Sequence, residues 1–149
     1  MAFFSGLCSI AFLLLAIGYL FSIPALQQLS FDARISAAVM FLLIGFFHLL
    51  KPGKLIYMIE GWFPFSRFLI LFTGVLEMLL GAGLLFPSTR YYAGWGLIIL
   101  LIAMFPANIR VAVQHLPAPG GLPAKPWYTW SRLLFQPLYI LWILWAINL

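Results

Sequence analysis

The sequence predicts an all-α fold, a polytopic membrane helical bundle with five spans, and three observations carry that expectation. Five apolar stretches separated by short polar breaks fill the chain almost end to end. A hydrocarbon core about 30 Å thick needs roughly 20 apolar residues to cross it as a helix, and the stretches are close to that length. Of the 149 residues, 65% are apolar and only 7% are charged, against about 25% charged in soluble domains. The length fits one membrane domain over residues 1–149, with an extra N-terminal helix at about 2–26 ahead of a four-helix core at about 32–148.

The first span runs from about Ala2 to Leu26, where Pro24 is expected to end or kink it at the membrane surface. Its start has no basic residue before Arg34, and Leu7 stands before Cys8 where a lipoprotein signal wants a small residue, so a retained helix is expected. The second span begins near Asp32, a residue type suited to an N-cap, and ends at Leu50 before Lys51-Pro52-Gly53. Leu55 to Phe63 is too short to span. Apolar residues at Leu55, Ile56, Ile59, Trp62 and Phe63, with Lys54 and Glu60 off that stripe, predict a short interfacial helix or amphipathic turn between spans two and three.

The third span covers about Pro64 to Phe86, and the turn Phe86-Pro-Ser-Thr-Arg90 is short enough to make spans three and four antiparallel neighbours. The fourth covers about Tyr91 to Val113. Pro106 inside it leaves the carbonyl of Ile102 without its helical donor and is expected to bend the helix or open its last turns. A Pro- and Gly-rich loop from Leu116 to Pro126 leads into the fifth span, about Ser131 to Asn148. Most Trp and Tyr residues, among them Trp62, Trp95, Tyr91 and Trp127, fall near span ends, where amphipathic rings favour the headgroup level.

The formal charge of +5 comes from basic residues at span ends, which is a membrane-topology pattern and contact with anionic lipid rather than a nucleic-acid face. Lys51, Lys54, Arg67, Arg110, Lys125 and Arg132 fall on one side, and Arg34 and Arg90 on the other. That bias places the N-terminus in the cytoplasm and the C-terminus outside a bacterial cytoplasmic (inner) membrane. Loss of the first span would leave the same basic loops inside. One cysteine, Cys8, rules out an internal disulfide, a CxxC pair and a cysteine zinc site, and no metal-ligand pattern is present.

Glu77 is the most informative residue, because a charge near the bilayer centre costs on the order of 3 kcal/mol even on insertion scales. It is therefore expected to face the bundle interior or a water-filled cavity. Ten residues beyond Arg67, it lies about 15 Å deep at 1.5 Å per residue. His48, Asn108, Arg110 and Gln136 fall in the same half of the bundle, so a ligand or proton pocket of Glu77, His48, Asn108, Gln136 and Arg110 is expected if their faces converge. Each has a structural alternative: a helix-end histidine on a carbonyl, an arginine reaching lipid phosphate, amides joining helices. Glu77 itself could be a neutral acid bonded to a neighbouring helix. Gly74, Glu77, Met78 and Gly81 share one helical stripe, and Gly81 and Gly83 extend a small surface for close helix packing.

Four ordered motifs carry a resemblance. Gly45-Phe-Phe-His48 with Lys51-Pro52, Thr73-Gly-Val-Leu-Glu77 with Gly81-Ala-Gly, Phe105-Pro-Ala-Asn-Ile109, and Trp130-Ser-Arg-Leu-Leu-Phe-Gln136 together resemble the DoxX-like family of small bacterial membrane proteins. The likeness covers about Arg34 to Trp145 and implies a four-helix membrane core. The chain departs from it by the added first helix and by Arg132-Leu-Leu-Phe-Gln136, where the proline comes only afterwards, at Pro137. Some relatives are linked to quinone-dependent oxidation, so the resemblance implies a redox-associated, quinone-linked membrane subunit with a redox protein partner. The residues by themselves equally fit a non-enzymatic binder or transporter of small amphipathic or lipid-like molecules, or a structural subunit that docks a partner through Leu55 to Phe63 and Leu116 to Pro126. Nothing in the chain carries electrons alone: there is no CxxC, no haem-type histidine pair and no Rossmann glycine fingerprint.

Overall fold

The computed structural model describes residues 2–117 and 125–148, and they form an all-helical bundle. The long helices are α1 (Ala2–Leu20), α2 (Leu29–Leu50), α3 (Ser66–Gly83), α4 (Arg90–Val113) and α5 (Pro126–Asn148). Each is long and apolar enough to cross a bilayer, and the chain is a multi-pass helical membrane protein. Large exposed side chains such as Phe12, Phe68, Ile99 and Leu134 stud the outer surface, as expected where lipid rather than water is the neighbour. Most of the loop from Leu116 to Pro126 lies outside the described residues.

The end of α1 differs from the sequence expectation for a local reason. α1 stops at Leu20, not Leu26, because Ser22 takes a left-handed φ of 52°. There the Ile23 N–H donates back to the Gly18 carbonyl, closing the helix with a Schellman-type bond. Pro24 then opens a separate 3-10 turn, Pro24–Gln27, which folds back onto α1 so tightly that a Cβ on Gly18 would meet the Leu26 backbone. α4 ends the same way, with His115 at φ 51° and the Leu116 N–H donating to the Val111 carbonyl. Neither position is glycine. Ser22→Gly and His115→Gly are each expected to stabilise the fold by about 0.5–1 kcal/mol, read as a rise in melting temperature.

Asp32 is not the N-cap of α2. The helix begins three residues earlier with Gln28 as its cap residue, so Asp32 lies in the first turn, fully buried and without a hydrogen-bond partner for either carboxylate oxygen among the described residues. The segment between α2 and α3 forms two single 3-10 turns, Pro52–Lys54 and Ile56–Met58. Leu55, Met58 and Ile59 tuck under the bundle against Ile70 and Val111, while Trp62 and Phe63 stay exposed. α4 remains α-helical through Pro106 to Val113, so its last turns do not open.

The core helices pack in sequence order, α2 on α3, α3 on α4, α4 on α5, and α5 back on α2, with α1 laid against α2. Leu7, Ala37, Phe41, Leu84, Leu97 and Ile143 form the central apolar layer. Trp142 Nε1 donates to the Ala33 carbonyl at 3.1 Å, joining α5 to α2. Phe3 of α1 sits edge-on to both Phe41 and Tyr139, so the first helix is packed into the bundle rather than appended to it.

α2 and α3 approach most closely, and glycines are the reason. A Cβ built on Gly45 would collide with the Gly74 carbonyl oxygen and with Met78 Cγ, and one on Gly74 would lie 2.6 Å from His48 Cβ. Gly81 lies against Phe41 and the Ala38 carbonyl, while Gly83 packs on Ala93 of α4. Gly74 and Gly81 thus hold α3 against α2, and Gly83 holds the α3–α4 turn, where Thr89 Oγ1 donates to the Gly83 carbonyl at 2.8 Å. Small residues at a crossing let backbones touch, and packing rather than the hydrophobic effect joins helices in lipid.

Candidate functional site

This glycine crossing fixes the rotation of α2 and α3 and turns His48 and Glu77 towards each other. His48 Nδ1 and Glu77 Oε2 are 3.1 Å apart, with the two side chains 12% and 3% exposed. The contact is within ion-pair distance but outside hydrogen-bond geometry, so both atoms are buried without a hydrogen-bond partner. The close approach is a side-chain contact without hydrogen-bond alignment. An unsatisfied buried polar atom is costly, typically about 1–3 kcal/mol, and persists where something else compensates it.

Across the bundle, α4 and α5 contribute a hydrogen-bonded relay. Arg132 Nη2 donates to Asn108 Oδ1 at 2.9 Å, Asn108 Nδ2 donates to Gln136 Oε1 at 2.9 Å, and Gln136 Nε2 donates to the Leu101 carbonyl. The relay follows from the helices that carry it. Arg132 and Gln136 are four residues apart and therefore stack on one face of α5, while Asn108 sits one turn beyond Met104 and two beyond Leu101 on α4.

Both groups line a single cavity of about 570 Å³, walled mainly by apolar side chains including Phe41, Ile44, Ile70 and Met104. That volume is within the roughly 300–1,000 Å³ of small-molecule sites. The cavity lies in the half of the bundle that ends at the α2–α3 segment, the C-terminus of α4 and the N-terminus of α5. Its other half is closed by the Leu84–Leu97–Ile143 layer. Trp62, Phe63, Ala103 and Pro106 line the cavity and are also exposed, so it reaches the surface beside the start of α3 and the end of α4.

Of the residues singled out from the sequence, His48, Glu77, Asn108 and Gln136 line this cavity. Glu77 meets only His48; Asn108 and Gln136 bond to each other instead. Arg110 is elsewhere. Its guanidinium donates to the carbonyls of Glu60 at 2.6 Å and Met58 at 3.4 Å, bonds Gln114, and lies 5.2 Å over the Trp62 ring. It therefore pins the α2–α3 segment beneath the cavity and has no contact with Glu77. Arg110→Ala is expected to cost about 1 kcal/mol locally, seen as amide exchange at Ile59–Trp62 about fivefold faster, with exchange in α2 unchanged.

Arg132 is the residue the sequence does not offer. It reads as a loop cation because the spacing starts the last helix at Ser131, whereas α5 begins at Pro126, whose missing N–H suits a first helical position. That start puts Arg132 two turns inside the helix and in the cavity wall. Tyr57, Tyr128 and Tyr139 lie within electrostatic reach of it. Tyr57, in the segment below the bundle, donates to the Pro117 carbonyl, and burial lifts its phenol above the usual pKa, against the pull of Arg132. Its phenol thus stays neutral and supplies no counter-charge. Among the described residues no cluster of three or more His, Cys, Asp or Glu side chains could hold a metal ion.

No curated protein and no solved structure matches the chain. Residues 37–148, from within α2 to the end of α5, match the family described as domain of unknown function (DUF8561). The matched stretch carries the whole cavity relay and the His48–Glu77 contact, and α1 lies before it. Because it spans about three quarters of the sequence, the chain belongs to the DUF8561 family.

Proposed function

We propose that this protein holds a small amphipathic molecule in the cavity between α2, α3, α4 and α5, with the headgroup between the His48–Glu77 contact and the Asn108–Gln136–Arg132 relay. The single observation that carries the reading is the pair of buried atoms without a hydrogen bond, Glu77 Oε2 and His48 Nδ1, set in the wall of a largely apolar cavity. A ligand hydroxyl or carbonyl, or a water it retains, would compensate them, while the apolar walls take a hydrocarbon tail. Such a division of labour, few polar groups for orientation and apolar surface for affinity, is usual in ligand pockets. Six basic residues at the cavity end support a bacterial cytoplasmic membrane with that end, and the N-terminus, inside.

A quinone-linked redox subunit is the second reading, favoured by the placement of a carboxyl–imidazole pair opposite an amide relay. The former could exchange protons with one quinone oxygen while the latter donates to the other. The likeness to DoxX-like proteins supports it, and a redox protein partner would supply the electrons. To test both, the protein is purified in zwitterionic nanodiscs and extracted for mass spectrometry. Binding predicts a retained amphiphile near one per chain, reduced several-fold by Glu77→Gln. A short-chain ubiquinone analogue that raises the melting temperature of wild type but not of Glu77→Gln would favour the quinone reading. No retained molecule and no stabilisation by any amphiphile would overturn the pocket.

A further inference from the structure

The chain has three acidic residues, Asp32, Glu60 and Glu77, and none is placed to neutralise Arg132. Asp32 lies near the opposite end of α2, its oxygens unpartnered. Glu60 is exposed, with its backbone carbonyl held by Arg110. Glu77 contacts His48. The undescribed residues 118–124 contain no acid. Arg132 therefore brings a permanent positive charge into a largely apolar cavity and spends one donor on the neutral oxygen of Asn108.

A guanidinium carries five N–H donors and cannot be deprotonated, and among the described residues no carboxylate lies within ion-pair distance of this one. An uncompensated charge in low dielectric is unfavourable, and an anionic group entering the cavity would supply both the counter-charge and short, charge-assisted hydrogen bonds. Asn108 bonds the guanidinium at the cavity wall, which Tyr128 and Tyr139 also line. From this we infer that the pocket selects amphiphiles with an anionic headgroup, carboxylate or phosphate, through Arg132, over neutral ones of the same chain length. This rests on the amphiphile-binding reading above and narrows it.

The test titrates the full-length protein in zwitterionic nanodiscs with dodecanoate, dodecyl phosphate, dodecanol and dodecylamine, reading tryptophan fluorescence and subtracting partition into empty discs. The two anions are expected to bind at least about tenfold more tightly than dodecanol, and dodecylamine more weakly still. Arg132→Gln should remove the anion advantage, bringing the dodecanoate-to-dodecanol affinity ratio to about one, and Arg132→Lys should restore part of it. Competition by phosphatidylglycerol added to the disc would assign the site to a bilayer lipid, and its absence to a free single-chain amphiphile. Equal affinity of wild type for dodecanoate and dodecanol would overturn the anion preference while leaving amphiphile binding intact, and needs no variant to fold. Failure of all four probes to bind would overturn both.

Discussion

Gly45→Leu is expected to destabilise the protein by about 3 kcal/mol and to abolish ligand binding, the largest effect of any single substitution on the bundle. The Cβ alone would strike the Gly74 carbonyl oxygen and Met78 Cγ. Backbone cannot rotate away as a side-chain tip can, so α2 and α3 must separate. Separation also breaks the register that brings His48 within 3.1 Å of Glu77. Gly53→Leu is the matched control: a Cβ there meets nothing within 4 Å, and its effect should be within about 0.5 kcal/mol. Unfolding of both variants in mixed detergent micelles, alongside wild type, reads the difference.

Gln136→Leu is expected to cost about 2 kcal/mol and to weaken amphiphile binding by roughly tenfold or more. Gln136 is 4% exposed and is the hub of the relay, accepting from Asn108 and donating to the Leu101 carbonyl. A leucine fills the volume but strands the Asn108 amide N–H, while the Leu101 carbonyl keeps its donor within α4. Hydrogen bonds between membrane helices average only about 0.6 kcal/mol, whereas an unsatisfied buried group costs about 1–3 kcal/mol, so the stranded Asn108 amide dominates. Asn108→Leu combined with Gln136→Leu should therefore cost less than the sum of the two single changes, by about 1 kcal/mol. Strict additivity in that cycle would mean that the two amides do not act as a pair.

The span count, the antiparallel order and the shared depth of His48, Glu77, Asn108 and Gln136 are legible in the sequence because run length and the rise per residue determine them. Helix rotation is not, since it depends on which small residues meet: Gly74 and Gly81 advertise a close face, but only Gly45 and Ala38 on α2 reveal what it is close to. Arg110 and Arg132 show the limit most clearly. Both are basic residues near span ends, yet one turns down to loop carbonyls and the other into the cavity, because five residues of extra helix from Pro126 to Trp130 set the direction of the second. The end of α1 escapes sequence reasoning for another reason, as Ser22 occupies a left-handed position normally signalled by glycine. Asp32 misleads because a residue suited to capping is here enclosed one turn inside α2.

A density map of the protein in nanodiscs, resolved to side chains, tests the pocket most directly. It is expected to show elongated density among Phe41, Ile70 and Met104, with its polar end between Glu77 and the Arg132–Asn108–Gln136 relay. A cavity collapsed onto its own side chains, or His48 and Glu77 turned to different neighbours with no density between the helices, would contradict a ligand site.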